Sequence, residues 1–398
     1  MKFGGRMLKL LLLPSFFLLV LPVLTYAQHY QQTNLVSDLT TEHAATVDPK
    51  LLNPWGLTRS SGSPWWVANN NSGTSTLYDG MGNPVLINPP GPNPPTSNVV
   101  KIPPPGFEPK AQSTPTGVVF NGSSNDFILK TGSAAHFIFA TEDGTISGWA
   151  GGLEAVLEVD NSENGSANGA VYKGATSAEI NGHKFLYVTN FRSGKVEVYN
   201  TNFKRVHLDD DAFKTDGDCD RDGHGGRDGN HDCDDDRIPE GFAPFNIQNV
   251  GGILFVTYAK QDTPRHDPVG GDGLGYVEFF TPDGKHLGHL QHGDWMNAPW
   301  GVVWTTRDFG EYSNSILVGN FRSGWIAAFN GFTYKFEDFV RKKDNSLMFI
   351  DGIWSLTFGN DGGAGGADTL FFTAGPNKET DGLFGTITPL DGLDGDEE

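Results

Sequence analysis

Two short sequence elements alternate along most of this chain, and this internal repetition limits its fold more than any other feature. The first element is a five-residue turn that begins with Asn and ends with Gly, at 69–73, 190–194 and 320–324, with an aromatic residue five positions after the glycine. Weaker copies keep the spacing from Gly to a large apolar residue at Gly144, Gly275 and Gly382. Six ordered copies predict a fold built from one repeated supersecondary unit.

The second element precedes each turn and is clearest as Pro-Trp-Gly. It occurs at 53–57 and 298–302, with looser forms beginning at Thr114, Lys173, Ala243 and Gly352. Within the fifth unit, strand-like runs are predicted at 301–305, 315–319, 325–329 and 334–339. These runs are rich in β-branched and aromatic residues and are bounded by Gly, Asn and Asp, a pattern typical of strands.

Four antiparallel strands per unit form the blade of a β-propeller. The sequence therefore predicts an all-β, six-bladed propeller of four-stranded antiparallel blades, in one domain spanning 28–390. The last unit supplies only three strands, whereas 32–36 near the N-terminus reads as a spare strand. Pairing the two would close the ring and remove an open sheet edge.

Residues 1–27 have the composition of a secretory signal peptide. Lys2, Arg6 and Lys9 precede an apolar run, and Ala27 offers a small residue at the cleavage point. A membrane anchor is the alternative, but the run is short and contains Pro14 and Pro22. We expect a secreted or periplasmic protein with no membrane span after cleavage and a short acidic tail at 391–398.

The formal net charge of −20 limits the classes of partner. Nucleic acids and anionic membranes repel such a surface, so neither is expected as a partner. Extracellular proteins and carbohydrates remain compatible with this charge, and the chain is expected to be a monomer.

The candidate binding face is the end of the ring where the Pro-Trp-Gly elements and the Asn-to-Gly turns meet. Insertions at 88–109, 208–240 and 260–274 fall on the same face, which marks it as a binding face in a repeat protein. Two interpretations stay open for its residues: structural capping, bracing and packing, or ligand binding in which arginines hold carboxylates. The candidate ligand-binding residues at the channel mouth are Asn53, Trp55, Asn190, Arg192, Asn297, Trp300, Asn320 and Arg322.

The insertion at 208–240 carries the sharpest local signal. Alternating carboxylates followed by glycine resemble the short Asp-rich calcium loops of thrombospondin type 3 repeats, and the second half repeats the pattern. The predicted calcium ligands are Asp216, Asp218, Asp220, Asp222, Asp228, Asn230 and Asp232. An acidic loop without an ion is the alternative. Cys219 and Cys233 are predicted to form a disulfide, because an exported chain meets an oxidising compartment.

Evidence for a catalytic motif is weaker than the evidence for a calcium loop. His286, His289 and His292 alternate in parity along a predicted strand and are therefore interpreted as surface positions rather than metal ligands. The sequence contains no HExxH, GxSxG, P-loop or dinucleotide motif.

The signal peptide, the Asn53–Leu57 element and the Asn-x-x-Ser-Gly turns together resemble an uncharacterised family of bacterial exported propellers, some with exosortase-type sorting signals. The chain is also distantly similar to NHL-type propellers. The resemblance implies the fold but no activity. We expect a non-catalytic binding or scaffolding module with a calcium loop. The alternative is a metal-assisted hydrolase or lactonase, whose cation could lie among Asn53, Asn246, Asn297 and Asp351.

Overall fold

The computed structural model describes residues 1, 29–88, 94–215, 238–306 and 308–390. Within these ranges the chain forms six antiparallel sheets in succession around a common axis, and the predicted six-bladed propeller is confirmed. The signal sequence, the acidic tail, the cysteines and the predicted calcium ligands lie outside the described residues.

The first three blades each contain four consecutive strands, ordered from the axis outward. Blade 1 consists of β3 (Pro54–Thr58), β4 (Trp65–Asn69), β5 (Thr74–Tyr78) and β6 (Val99–Lys101). Blade 2 consists of β7 (Pro115–Phe120), β8 (Phe137–Thr141), β9 (Thr145–Trp149) and β10 (Val156–Asp160). Blade 3 consists of β11 (Tyr172–Ile180), β12 (His183–Asn190), β13 (Lys195–Asn200) and β14 (Arg205–Val206). Strand β6 lies within the Pro-rich insertion at 88–109.

The next two blades repeat the pattern, with one added strand. Blade 4 consists of β15 (Phe242–Val250), β16 (Ile253–Gln261), β18 (Gly275–Phe280) and β19 (His286–His289), and the short β17 (Pro268–Val269) pairs with β16. Blade 5 consists of β20 (Pro299–Trp304), β21 (Ser315–Asn320), β22 (Ile326–Asn330) and β23 (Phe336–Phe339). Short helical turns occur at Thr40–Glu42, Asn70–Ser72, Glu163–Gly165, Gly310–Tyr312 and Pro376–Glu379.

Blade 6 joins the two ends of the described chain. Its inner strands are β24 (Ile353–Phe358), β25 (Leu370–Ala374) and β26 (Leu383–Pro389), and its outer strands are β1 (Tyr30–Ser37) and β2 (Thr46–Val47). Strand β1 pairs antiparallel with β26, with Gln32 opposite Ile387. The predicted closure of the ring by the N-terminal strand is therefore confirmed.

Steric crowding at the axis explains the recurring glycine of the Pro-Trp-Gly element. A Cβ atom on Gly56 would collide with the carbonyl oxygen of Thr116 in the next blade, and one on Gly117 would lie 2.6 Å from the backbone nitrogen of Ala175. The inner strands of blades 1, 2 and 3 thus approach closely because Gly56 and Gly117 have no side chain.

The Asn-to-Gly turns connect the second and third strands of their blades. Gly73, Gly194 and Gly324 have φ angles of 66°, 69° and 71°, a left-handed conformation that favours glycine. In each turn the glycine N–H donates to the carbonyl oxygen of the first Asn, at 2.8–3.1 Å.

Aromatic rings fill the axis beneath these turns. Trp354 stacks between Trp55 and Phe321, with ring centroids 3.6 and 3.8 Å apart, and Trp300 meets Trp55 edge-on at 6.2 Å. We call this group the aromatic plug; it comprises Trp55, Phe191, Phe245, Trp300, Phe321 and Trp354, all buried. Towards the opposite end of the axis the inner strands enclose a cavity of about 210 Å³.

The described residues include no helix with the length and apolar character needed to cross a membrane.

Candidate functional site at the axial mouth

Five blades bring charged side chains to one end of the axis, above the aromatic plug. Blades 2, 4 and 6 contribute from the connections between their second and third strands, blade 5 from its Asn-to-Gly turn, and blade 3 from its inner strand. We call this group the axial mouth; it comprises Glu142, Lys173, His266, Asp267, Arg322 and Glu379.

Lys173 lies at the base of the axial mouth and its side chain is fully buried. Its ammonium group donates to Glu142 in a short ion pair and lies 3.4 Å from Asp267 Oδ1. The same nitrogen stands 5.1 Å from the ring centroid of Trp55 and 5.8 Å from that of Phe191, distances at which aromatic faces attract a cation. The cation is thus held by two carboxylates and two rings.

Glu142 completes this buried ion pair from blade 2. Its side chain is only 10% exposed, and its second carboxylate oxygen accepts a 2.7 Å hydrogen bond from the Asn70 side chain in blade 1. Blades 1, 2 and 3 are therefore linked through one carboxylate.

His266 and Asp267 lie in the ordered loop between β16 and β18. His266 Nδ1 is 2.9 Å from Asp267 Oδ1, and the backbone N–H of His266 donates to Asp262 Oδ1 at 2.7 Å. The hydrogen bond between the two side chains raises the pKa of His266 and holds the pKa of Asp267 well below its usual value.

The same loop is fixed to blade 5 at two points. The Arg322 guanidinium donates to the Pro268 carbonyl oxygen at 3.1 and 3.2 Å, and the backbone N–H of Gly271 donates to Asn297 Oδ1 at 2.9 Å. These anchors hold His266 and Asp267 in place at the axial mouth without any ligand, as a preorganised site requires.

Glu379 reaches the axial mouth from a strained backbone in blade 6. Asn377, Lys378 and Glu379 have φ angles of 55°, 60° and 69°, three consecutive left-handed residues without a glycine. Such strain persists only where surrounding contacts impose it, and it is found at functional sites.

The carboxylate of Glu379 is held on two sides. Asn53 Nδ2 donates to Glu379 Oε2 at 3.3 Å, and Arg322 NH1 lies 3.8 Å from Oε1. Burial raises the pKa of Glu379, although the positive charge of Arg322 opposes this effect.

Hydrogen-bonding capacity remains at the rim of the axial mouth. The Asp267, Arg322 and Glu379 side chains are 58%, 35% and 30% exposed. Within the described part of the chain, Asp267 Oδ2 and His266 Nε2 have no hydrogen-bond partner. An incoming molecule would therefore meet acceptors and a guanidinium donor side by side.

The asparagines predicted to bind ligand make contacts within the protein. Asn190 Nδ2 donates to Glu197 at 2.9 Å, and its Oδ1 accepts from the Ser193 N–H, so it caps its turn. Asn320 Oδ1 accepts from the Asn297 N–H at 2.8 Å. Asn53 Oδ1 accepts from Trp354 Nε1 at 3.0 Å.

The predicted arginines and tryptophans divide between rim and interior. Arg192 donates to the carbonyl oxygen of Gly169 at 2.9 Å and braces the connection between blades 2 and 3. Arg322 braces blade 4 and also faces Glu379. Trp55 and Trp300 are 2% and 4% exposed and lie in the aromatic plug, below the rim.

The other residues considered for metal binding are also engaged. Asn246 donates to the Trp300 carbonyl oxygen at 2.7 Å, and Asp351 accepts from the Asn377 N–H at 2.8 Å. Among the three strand histidines, His286 contacts the buried Glu278 at 2.6 Å, and His292 contacts the Gly273 carbonyl oxygen at 2.9 Å.

Five of the six residues of the axial mouth lie where the repeat pattern is weakest, and the sixth, Arg322, lies in a well-matching turn. Glu142 precedes the poorly matching Gly144, Glu379 precedes Gly382, and Lys173 opens the least similar copy of the second element. His266 and Asp267 lie in an insertion. The best-matching copies of the repeat do not contain these residues, so the repeat pattern did not indicate them. Departure from the repeat pattern is the signal that could have found these residues.

Comparison with known proteins identifies similar proteins but assigns no activity to this chain. No family profile matches the sequence. Two uncharacterised proteins of Acanthamoeba polyphaga mimivirus are each 28% identical to it, over 89% and 86% of this chain and 78% and 82% of their own lengths. A third protein of the same virus is 31% identical over 61% of this chain, which is 42% of that relative. These relatives are viral, so bacterial origin and export stay predictions.

Several solved propellers are similar in fold. Virginiamycin B lyase from Staphylococcus aureus gives a TM-score of 0.44 at 11% identity, covering 91% of this chain and all of that one. A Xanthomonas campestris gluconolactonase gives 0.34 at 10% identity, covering 90% and 98%. No statement about activity follows at these similarities.

Proposed function

We propose that this protein is a non-catalytic binding module whose axial mouth takes a small polyhydroxylated ligand, of the carbohydrate class. The convergence of six ionisable side chains from five blades supports the proposal. Bringing Lys173 and Glu142 out of water is costly, and apolar residues would stabilise the ring as well or better. Charges that stability does not require, on a rigid preorganised frame, favour a binding role.

The ligand class follows from the mixture of groups at the rim. The carboxylates of Asp267 and Glu379 would repel a purely anionic ligand, and the guanidinium of Arg322 would repel a purely cationic one. Hydroxyl groups both donate and accept, so one polyhydroxylated molecule can satisfy the carboxylates and the guanidinium together. Few convergent polar groups at a concave site are typical of small-molecule recognition.

Three further features belong to this proposal. The N-terminal 27 residues direct export, and the mature chain acts as a secreted or periplasmic monomer. The acidic insertion binds calcium through its aspartates, and a Cys219–Cys233 disulfide closes it. Extracellular glycans or glycoproteins are then the partners that such a module would meet.

Saturation-transfer NMR tests the proposal with a panel of glucose, galactose, mannose, N-acetylglucosamine and their short oligomers at millimolar concentration. We expect transfer to at least one sugar, with affinity reduced ten- to hundredfold in Asp267→Asn or Glu379→Gln, because a hydrogen bond to a charged group contributes about 1.5–3 kcal/mol. Glu179→Gln is the control, since Glu179 is exposed at the opposite end of blade 3. Absence of transfer across the panel, or binding unchanged in both mouth variants, would refute the proposal.

A further inference from the structure

Part of the axial mouth has the composition of a metal site. Glu142, His266 and Asp267 each offer one ligand atom, and these atoms lie within 4.8 Å of one another. Carboxylate oxygens and an imidazole nitrogen are ordinary ligands of divalent ions such as Zn²⁺ and Mn²⁺. A metal-assisted hydrolase or lactonase would need a bound ion, so whether an ion fits among these three residues bears on that alternative function.

A lysine stands among these ligand atoms. The Lys173 ammonium contacts the Glu142 carboxylate directly and lies 3.4 Å from Asp267 Oδ1. Its side chain cannot swing into solvent, because it is fully buried against Trp55 and Phe191. A divalent ion bound to the same oxygens would face a fixed positive charge at close range in a poorly solvated site, where like charges repel strongly.

We infer that Lys173 is the resident cation among Glu142, His266 and Asp267, and the residue that excludes metal ions from them. The ammonium neutralises the carboxylates that would otherwise attract a divalent ion, and it keeps Asp267 and Glu379 available to an organic ligand. Selection against an unwanted ligand by a built-in like charge is a common means of specificity. The inference goes beyond the proposed function and holds whatever ligand the rim takes.

Removal of the ammonium should convert the cluster into a metal site. In Lys173→Met the carboxylates of Glu142 and Asp267 lose their common counter-charge while His266 keeps its position beside Asp267. A divalent ion can then supply the missing positive charge through the same three ligands.

Metal content measured after EDTA treatment and dialysis against Mn²⁺ or Zn²⁺ tests this inference. Wild type, His266→Ala, Lys173→Met and the double variant Lys173→Met/His266→Ala are compared at equal concentration. The acidic insertion is the same in all four chains, so differences between them report the axial mouth alone.

We expect equal metal content in wild type and His266→Ala, one additional ion per chain in Lys173→Met, and loss of that ion in the double variant. In thermal unfolding, the added ion should raise the melting temperature of Lys173→Met. Its effect on wild type should be the same as its effect on His266→Ala.

Two results would overturn the inference. One is a wild-type chain that binds one ion more than His266→Ala; this comparison decides the matter even if Lys173→Met fails to fold. The other is a folded Lys173→Met chain that takes up no additional ion. Neither result bears on sugar binding, so failure of this inference is distinguishable from failure of the proposed function.

Discussion

Tyr30 of the closing strand offers a direct test of how the ring is held together. Its ring is 1% exposed and packs beside Phe309 and Tyr312 of blade 5, with centroids 5.1 and 5.8 Å away. The hydroxyl group donates to the Phe309 carbonyl oxygen at 2.9 Å and accepts from the Tyr312 N–H at 3.0 Å. One side chain of blade 6 thus seals the boundary to blade 5.

Two substitutions separate the contributions of this side chain. Tyr30→Phe keeps the ring but leaves a buried carbonyl and N–H without partners, so we expect a loss of about 1–3 kcal/mol in unfolding free energy. Tyr30→Ala removes the buried ring as well, for which large-to-small substitutions of aromatic residues cost about 3–5 kcal/mol.

Equilibrium unfolding in urea, followed by tryptophan fluorescence and by circular dichroism, measures both losses. Phe332→Ala is the matched control: Phe332 is 80% exposed, and its truncation should change the unfolding free energy by no more than about 0.5 kcal/mol. If Tyr30→Ala costs no more than this control, the N-terminal strand does not seal the ring in solution, and the argument fails.

Three further predictions address other parts of the molecule. Gly301→Ala should destabilise the ring by about 1–3 kcal/mol through overpacking, because its Cβ would lie 2.9 Å from the backbone nitrogen of Leu356. Gly62→Ala, with open space around it, should be neutral, and thermal unfolding compares the two. Alkali should unfold the protein: burial raises the pKa of Tyr78 and Tyr258 above the ordinary 10, so above that pH the unfolded chain holds fewer protons and stability falls. Ionisation of every tyrosine near pH 10, the buried ones included, with unchanged circular dichroism would contradict this. Calcium should protect 216–236 from proteolysis, and equal cleavage with and without calcium would argue against the predicted loop.

The fold could be predicted because its causes recur along the chain. In four blades the close approach of the inner strands requires a glycine at the axis, and each Asn-to-Gly turn requires a left-handed residue; Gly56 and Gly73 meet these needs in blade 1. These needs are local and steric, so they return in blade after blade and can be recognised in a single sequence. The spare strand at 32–36 followed from the same count of strands.

The site could not be predicted by the same reasoning. Glu142 and Asp267 are separated by 125 positions, and only the ring's curvature brings both to Lys173. No short spacing records this proximity, and each residue by itself reads as an ordinary charged loop or strand residue. The best-matching copies of the repeat contain Trp55 and Arg192, so the sequence pattern favoured these two as site residues. In the structure, Trp55 packs in the aromatic plug and Arg192 braces the connection between blades 2 and 3.

The fold is easier to predict than the site because a closed ring needs the same structural residues in many of its blades. A residue that maintains contact between neighbouring blades is needed in every blade, so its type recurs, as the buried turn residues Asn190 and Asn320 do. A ligand on the axis meets each blade once and from a different direction, so the groups that bind it must differ between blades. Binding therefore requires the repeat to be broken at the mouth, and Lys173, which takes the strand position held by Trp55 in blade 1 and by Trp300 in blade 5, is such a break. Its burial between two carboxylates and two rings serves no demand that the other five blades share, and this is why we propose a role in specificity for its charge.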